Sequence, residues 1–453
     1  PHLRVEVVPG EGAFVLAGNQ QTLLKGRLYE QIAPRVGGGR TADDLCDELR
    51  GSISSAEVYF VLGQLEKKGL LCEDVEALPA GEAALWSAQQ LDPAEAARRI
   101  AQTTISVESF GIDAKPLLEL LEATGIRCDV RGSLTLVIAD GYLRTELEEF
   151  NRRAIAQGTP WLLVRPVGQE IWVGPLFRPG TTGCWSCLAD RLRSNSPVES
   201  YLDRKNGSTV SHPSATAASP ATLSIAWGLA ASATASFLAR SGELPALEGK
   251  IQSFDVITWR STAHTLVRLP YCTECGERRE VRNEAPEPVV LAKQSKTFTR
   301  DGGHRVVAPE VTLDRYSHHV SPITGAVSML ERVGPANDGT VHVYIAGHNL
   351  ARRHRNLQHL RGDLRNMSSG KGATDVQAKA SGLCEGLERY SGVFRGDEHR
   401  RVARMAELGD AALHPNDCLL FSERQYRERD DWNQRGSHFN FVPAPFDPPA
   451  NVE

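Results

Sequence analysis

The chain has 453 residues, enough for about two to four domains. Its 41% hydrophobic and 24% charged content is ordinary for a globular protein, and a net charge of -5 leaves no basic footprint for nucleic acid or an anionic membrane. No signal-peptide pattern opens the chain, and no apolar run reaches the roughly 18 residues of a membrane span.

Residues 1–80 read as one small module. Leu3–Val8, Ala13–Ala17 and Gln21–Leu24 are predicted strands, with the Gly10-Glu11-Gly12 turn between the first two. Helices are predicted over Gly26–Ala33, over Ala42–Leu49 behind Thr41 as N-cap, and over Ala56–Lys68. Ser54 and Glu57 form a capping-box signature for the last helix, and Gly69 ends it. Val58, Val61, Leu62 and Leu65 repeat at helical spacing. The order is that of a winged helix-turn-helix. Its acidic end (Glu73, Asp74, Glu76) argues against DNA, and a strand edge beside a helix suits an extended peptide instead.

Ala80–Pro93 is an Ala- and Glu-rich connector. Strand and helix then alternate over Thr104–Ser109, Pro116–Ala123, Leu134–Ala139, Arg144–Ala156 and Trp161–Val164, the pattern of a parallel, doubly wound sheet. The turn after the first of these strands, Phe110 to Pro116, has no G-x-G-x-x-G, so no dinucleotide cradle is expected there. Asn195–Pro220, rich in Ser, Thr, Asn and Pro, is expected to be a long mobile loop. Thr222–Ala239 is expected to be a buried helix, Arg282–Pro288 a linker, and a further domain begins near Lys296.

Four of the nine cysteines form two C-x-x-C knuckles, Cys184/Cys187 and Cys272/Cys275. Brought together they make a closed tetrahedral thiolate site, structural rather than catalytic, for Zn²⁺. The alternative is two unrelated thiol pairs. Metal rather than disulfide use points to a reducing compartment, hence the cytoplasm. Cys46, Cys72, Cys128, Cys384 and Cys418 read as core or surface residues rather than nucleophiles.

Further on, Ser368-Ser369-Gly370-Lys371-Gly372 reads as a small flexible loop running into a helix with Ser381, Glu385, Glu388 and Arg389. Carboxylates at i and i+3 share a helix face and repel unless a cation such as Mg²⁺ lies between them. Glycines, serines and a lysine suit the phosphates that Mg²⁺ bridges, and no Walker sequence is present. His304, His318, His319 and His348 are weaker acid-base candidates.

Across its length the chain resembles the fused YcaO-type cyclodehydratases (heterocyclases) of cyanobactin-type and other azoline-containing peptides. The resemblance is carried by Trp161-Leu-Leu-Val-x-Pro166-Val-Gly, Gly174-Pro-x-Phe177, Thr182-Gly183-Cys184-Trp185-x-Cys187-Leu188-Ala189, Asp301-Gly-Gly-His304-Arg305, Ser321-Pro322-x-Thr324-Gly325 and Ala346-Gly347-His348. Ser368-Ser-Gly-Lys-Gly372 and Lys379-Ala-Ser381-Gly-Leu-Cys-Glu385-x-x-Glu388-Arg389-Tyr390-Ser391-Gly392 complete it. It implies an α/β and α+β multidomain fold: a leader-peptide-binding winged helix (1–80), a Rossmann-like, ThiF-type zinc domain (81–288) and the first part of a YcaO-type ATP-binding domain (289–453).

The implied reaction uses ATP and Mg²⁺ to cyclise Cys, Ser or Thr of a ribosomally made precursor peptide onto the preceding amide. Glu385, Glu388 and Arg389 are the implied catalytic residues, with Ser369, Lys371 and Ser381 completing the nucleotide contacts. The leader is expected along the Gln21–Leu24 strand, with Gln21, Leu24, Val58 and Leu62 as contacts. A homodimer is an admissible assembly. Other readings are thioamide or amidine formation, a leader-binding scaffold without catalysis, and an adenylating enzyme. Pro1 in place of Met and the abrupt stop after Pro443–Pro449 suggest a piece of a longer protein, and the family's further glutamate and arginine motifs would then follow Glu453.

Overall fold

The computed structural model describes residues 2–17, 20–37, 39–71, 78–206, 217–276, 288–297, 299, 304–334, 341–348, 357, 360–361, 364, 367–395, 398, 402–436, 441–446 and 451–452. They fall into two compact units, Pro1–Gly276 with Lys296–Gly392, and Glu277–Ser295 with Val393–Glu453. The first unit takes in the first predicted span, the second as far as Gly276, and Lys296–Gly392 of the third.

At its start, β1 (Arg4–Val8), β2 (Gly12–Ala17) and β3 (Gln20–Leu24) form an antiparallel meander in which Arg4 faces Leu16 and Ala13 faces Leu24. Three helices follow: α1 (Arg27–Ile32), α2 (Ala42–Glu48) and α3 (Ser55–Lys67). Thr41 with Asp44, and Ser54 with Glu57, close reciprocal capping boxes, so orphan N–H groups at both starts are satisfied. Gly69, at φ +67°, turns the chain away after α3. Val15, Leu24, Ile32, Leu45, Val58, Val61 and Leu65 fill the core between sheet and helices.

The connector is two helices, α4 (Ala80–Ala88) and α5 (Pro93–Gln102). Then come β4 (Thr104–Phe110), α6 (Lys115–Ala123), β5 (Arg127–Cys128), β6 (Thr135–Ala139), α7 (Glu146–Gln157), β7 (Trp161–Arg165) and β8 (Glu170–Phe177). They are followed by α8 (Trp185–Asn195), α9 (Pro197–Asn206), α10 (Pro220–Ala239), β9 (Lys250–Asp255) and β10 (Arg260–Thr265). The seven strands lie in the order β10-β9-β8-β7-β6-β4-β5. β4, β6 and β7 run parallel as predicted, joined by the short parallel strand β5, but β8, β9 and β10 are antiparallel, so the sheet is mixed. β7 and β8, and β9 and β10, are hairpins, whereas β8 reaches β9 only after α8, α9 and α10.

The central strands are apolar on both faces, as buried parallel strands must be. Leu136, Ile138, Leu162 and Val164 pack into one core with Trp227 and Phe237 of α10, whereas Val137, Trp161 and Leu163 pack into another with Phe150 of α7 and Trp185 of α8. The alternation of strand side chains thus divides one run of residues between two layers. Two expectations change. Part of the expected 195–220 loop is α9, while residues 207–216 lie outside the described residues. α10, extended by its Ser219 cap and Pro220, is long and apolar enough to pass a membrane-span test by length and composition. Its Ala226, Trp227, Ala230, Phe237 and Leu238 are core residues, the alternative such helices present.

The last part of this unit has α11 (Pro309–Tyr316), then β11 (Met329–Val333), β12 (His342–Gly347) and β13 (Met367–Gly372) in an antiparallel sheet, and α12 (Asp375–Ser391). The expected Ser368–Gly372 loop is therefore the strand β13, paired with β12 from His342↔Gly372 to Gly347↔Met367. α12 packs on one face of this sheet around Val327, Ala346 and Leu383. A Cβ on Gly370 would lie 2.0 Å from the Gly382 nitrogen and 2.1 Å from the Ala378 oxygen, so the strand and helix backbones touch.

In the second unit, short helices at Met405–Leu408, Pro415–Cys418, Glu423–Arg427 and Arg429–Gln434 accompany a two-residue ladder between Ala403–Arg404 and Asn451–Val452. Asn416 and Asn433 each bond the backbone of a distant extended segment, at Phe446 and Val442.

Because backbone atoms cannot retreat as a side chain can, Gly370→Ala is expected to cost roughly 3 kcal/mol or more. Urea unfolding followed by a probe on α12 measures this; a cost below about 0.5 kcal/mol would contradict the close packing.

Candidate functional site

The cysteine cluster is assembled by secondary structure. Cys184 is the N-cap of α8 and Cys187 stands in its first turn, while Cys272 and Cys275 lie in the turn that follows β10. All four sulfurs lie within 4.8 Å of one another, with Cys184 to Cys272 at 3.6 Å and Cys187 to Cys275 at 3.4 Å. A disulfide needs about 2.05 Å, whereas four thiolates at about 2.3 Å from a tetrahedral ion stand roughly 3.8 Å apart. The donor set therefore fits a metal. The surroundings hold it rigid: Asn151 accepts from the Trp185 backbone at 3.0 Å, the Trp185 indole donates to the Tyr142 carbonyl at 2.7 Å, and Leu269 N–H points at the Cys187 sulfur at 3.4 Å.

Charge shows why a cation would suit this cluster. Hydrogen bonding with Cys184 pushes the Cys187 thiol up and draws Cys275 down to about 7. Neighbouring thiols divide protons and negative charge unequally because four thiolates this close repel. A bound cation removes that conflict. Two clefts, of about 240 and 290 Å³, reach the cluster at Cys184 and Cys275 and at Cys272.

Of the other cysteines, Cys128 and Cys418 are exposed and Cys46 and Cys384 half-buried, and Cys72 lies outside the described residues. Burial pushes the Cys384 thiol up, away from nucleophilic use. At the turn after β4, Gly111 (φ +73°) meets the Asp140 carboxylate and the Arg144 guanidinium, which pair at 2.9 Å.

On α12 the Thr374 hydroxyl caps the start, and Ser381, Glu385 and Glu388 follow at i, i+4 and i+7, along one stripe. Glu385 is half-buried, Glu388 and Arg389 are exposed, and Arg389 pairs with Glu385 at 3.4 Å. Ser369 and Lys371 are exposed on β13, and alternation places them on the sheet face away from α12, because Gly370 faces the helix. The predicted nucleotide residues thus divide into a helix stripe and a separate strand face.

His304 is exposed beside Lys296, and His348 is buried. The His318 and His319 rings lie 4.1 Å apart; burial, then the charges of His318 and Arg191, push His319 down to about 4. It is a neutral imidazole at physiological pH.

In the winged module Gln21 is exposed and Leu62 half-buried, but Leu24 (1%) and Val58 (0%) are sealed in the core. The outward positions on β3 and α3 are Leu23, Tyr59 and Phe60, at 39%, 51% and 61% exposed. Sequence periodicity found the apolar stripe but ranked the inward side.

Contacts between distant segments were outside the reach of sequence reasoning. The Tyr271 hydroxyl bonds Tyr390 at 2.8 Å and donates to Asp190 at 3.2 Å, and the Arg191 guanidinium lies 4.6 Å from the centre of the Tyr390 ring. His264 of β10 bridges Ser253 and Ser321 at 3.0 and 2.9 Å. Tyr390, at the end of the glutamate motif, and Ser321, in the Ser321–Gly325 motif, carried a prior signal.

These features define a multidomain α/β protein with a winged helix, a mixed sheet bearing a cysteine cluster, and a strand-helix unit bearing paired glutamates. Residues 1–73 match the winged helix-turn-helix domain family, and residues 369–453 match the YcaO cyclodehydratase family, described as ATP- and Mg²⁺-binding. A solved heterocyclase in complex with substrate and cofactor is 35% identical, with a TM-score of 0.90 over 100% of this chain and 61% of its own. The heterocyclase TruD is 32% identical, with a TM-score of 0.78 over 99% of this chain and 59% of its own. No curated protein sequence matches significantly. Over its whole length the chain is similar to these heterocyclases, and it spans about three fifths of the solved chains it matches.

Cys187→Ala is expected to abolish binding of the one metal ion expected for four thiolates, and to lower the melting temperature by roughly 5–10 °C. Atomic absorption and calorimetry check this, and retention of a full equivalent of metal would contradict the site.

Proposed function

We propose that this chain forms the leader-binding, zinc-bearing and nucleotide-binding parts of an ATP- and Mg²⁺-dependent peptide cyclodehydratase. The observation that carries the reading is the alignment of Ser381, Glu385 and Glu388 on one stripe of α12, within a chain that matches a heterocyclase over its whole length. The proposed boundaries are 1–80 for the leader module, 81–288 for the zinc domain and 289–453 for the start of the catalytic domain.

The proposed substrate is a ribosomally made precursor peptide in the cytoplasm, whose Cys, Ser or Thr side chain attacks the carbonyl carbon before it. When bound, Mg²⁺-ATP supplies a phosphoryl group to the amide oxygen, converting a poor leaving group into phosphate. Glu385 and Glu388 offer the hard oxygen ligands that hold the cation. Arg389 balances the Glu385 charge and presents its remaining donors to phosphate oxygens. Ser381 adds a hydroxyl one turn before Glu385. Lys371 and Ser369 serve the nucleotide where a ligand spans from the helix stripe to the far sheet face.

The tetrathiolate cluster holds Zn²⁺ with no position left for water, so it acts by fixing structure. Leader contacts are proposed at Gln21 and the exposed flank of Leu62. Leu24 and Val58 shape the surface from beneath.

In the protein that carries this chain, Glu385→Gln and Glu388→Gln are each expected to lower turnover at least about 100-fold, the scale for losing one electrostatic stabiliser. Leader affinity is expected to stay unchanged. Mass spectrometry of the precursor reads loss of one water per ring, with ADP and phosphate as co-products. Exchange of oxygen for sulfur would indicate thioamide formation, AMP would indicate adenylation, and leader binding without turnover by the unsubstituted protein would indicate a scaffold.

A further inference from the structure

Both cysteine knuckles send a neighbour to the same side chain. Asp190 and Arg191 stand three and four residues after Cys187 on α8, and Tyr271 immediately precedes Cys272. Asp190 accepts from the Tyr271 hydroxyl at 3.2 Å, the Tyr271 and Tyr390 hydroxyls share a hydrogen bond at 2.8 Å, and Arg191 lies over the Tyr390 ring at 4.6 Å. Arg191 is only 4% exposed and makes no ion pair among the described residues, so the face of Tyr390 is a main stabiliser of its charge. Tyr390 follows Arg389 on α12, and at about 100° per residue it points away from the side that carries Ser381 and Glu388. Two further bonds tie the same regions: His264 of β10 to Ser321 at 2.9 Å, and Asn195 of α8 to the Ile323 carbonyl at 3.1 Å.

We infer that Tyr271 and Tyr390 are positioning residues through which the cysteine cluster sets the placement of the glutamate helix. The knuckles lie 88 residues apart in sequence, and the clamp on Tyr390 has its shape only while their sulfurs are held together. A metal there fixes the Asp190–Tyr271 pair, the pair grips the back of α12, and Glu385 and Glu388 are held at one height and rotation. This coupling deepens the nucleotide reading of the glutamates and rests on it for its functional part.

The test uses the full chain. Tyr271→Phe keeps the ring and removes both hydroxyl contacts, and Tyr390→Phe is the reciprocal variant. Each is expected to speed amide exchange over residues 387–391 about five-fold, the scale of one lost hydrogen bond, and to weaken binding of Mg²⁺ with a non-hydrolysable ATP analogue by a similar factor. Metal content and exchange over α3 stay unchanged. Stripping the metal by chelation is expected to raise exchange over 387–391 at least as much, with Tyr271→Phe adding nothing afterwards. The double variant is expected to match either single variant. Unchanged exchange over 387–391 in both variants overturns the coupling, as does an additive double variant. Faster exchange in the two variants of a chain whose wild-type form binds no nucleotide upholds the coupling and overturns the nucleotide reading alone.

Discussion

The convergence of four cysteine sulfurs is the constraint around which the middle of this molecule is arranged. Cysteines from the start of α8 and from the turn after β10 converge within 4.8 Å, a donor set that fits a cation. Their convergence fixes the start of α8 against the sheet edge that ends in β10. Trp185, Asn151 and Tyr142 then pack and bond around that junction, and Tyr271 and Arg191 project from it toward α12.

The parts of the fold legible in the sequence were those governed by short-range rules. Capping boxes at Thr41 and Ser54, the alternation of β4 through β7 with their helices, and the apolar central strands all follow from neighbours within a few residues. The failures have a common cause. Ser368–Gly372 has loop composition, yet forms a strand because Gly370 lets α12 approach the backbone and β12 supplies the hydrogen bonds. The antiparallel return of β8, β9 and β10 depends on connections that periodicity does not report. In both cases a distant segment decides the local structure.

The candidate site divides in the same way. The cysteine spacing and the glutamate motif stood out because metal chemistry demands particular atoms at particular intervals. The winged module was harder to read, since Leu24 and Val58 are as apolar as any docking residue but are consumed by the module's own core. Periodicity locates a stripe without saying whether the stripe or its flank meets a partner. The flank here carries Leu23, Tyr59 and Phe60, and Tyr59 also donates to Asp43 at 2.7 Å.

The contact between Gly370 and Gly382 bears on motion. At Gly370 no side chain stands between strand and helix, so no compressible layer absorbs sliding there and α12 meets β13 backbone to backbone. Displacement of Glu385 along the helix axis would have to drag the three-stranded sheet with it. Rearrangement at this site is therefore expected to proceed by tilting of the whole strand-helix block, with the ridge of glutamates travelling as part of one rigid plank.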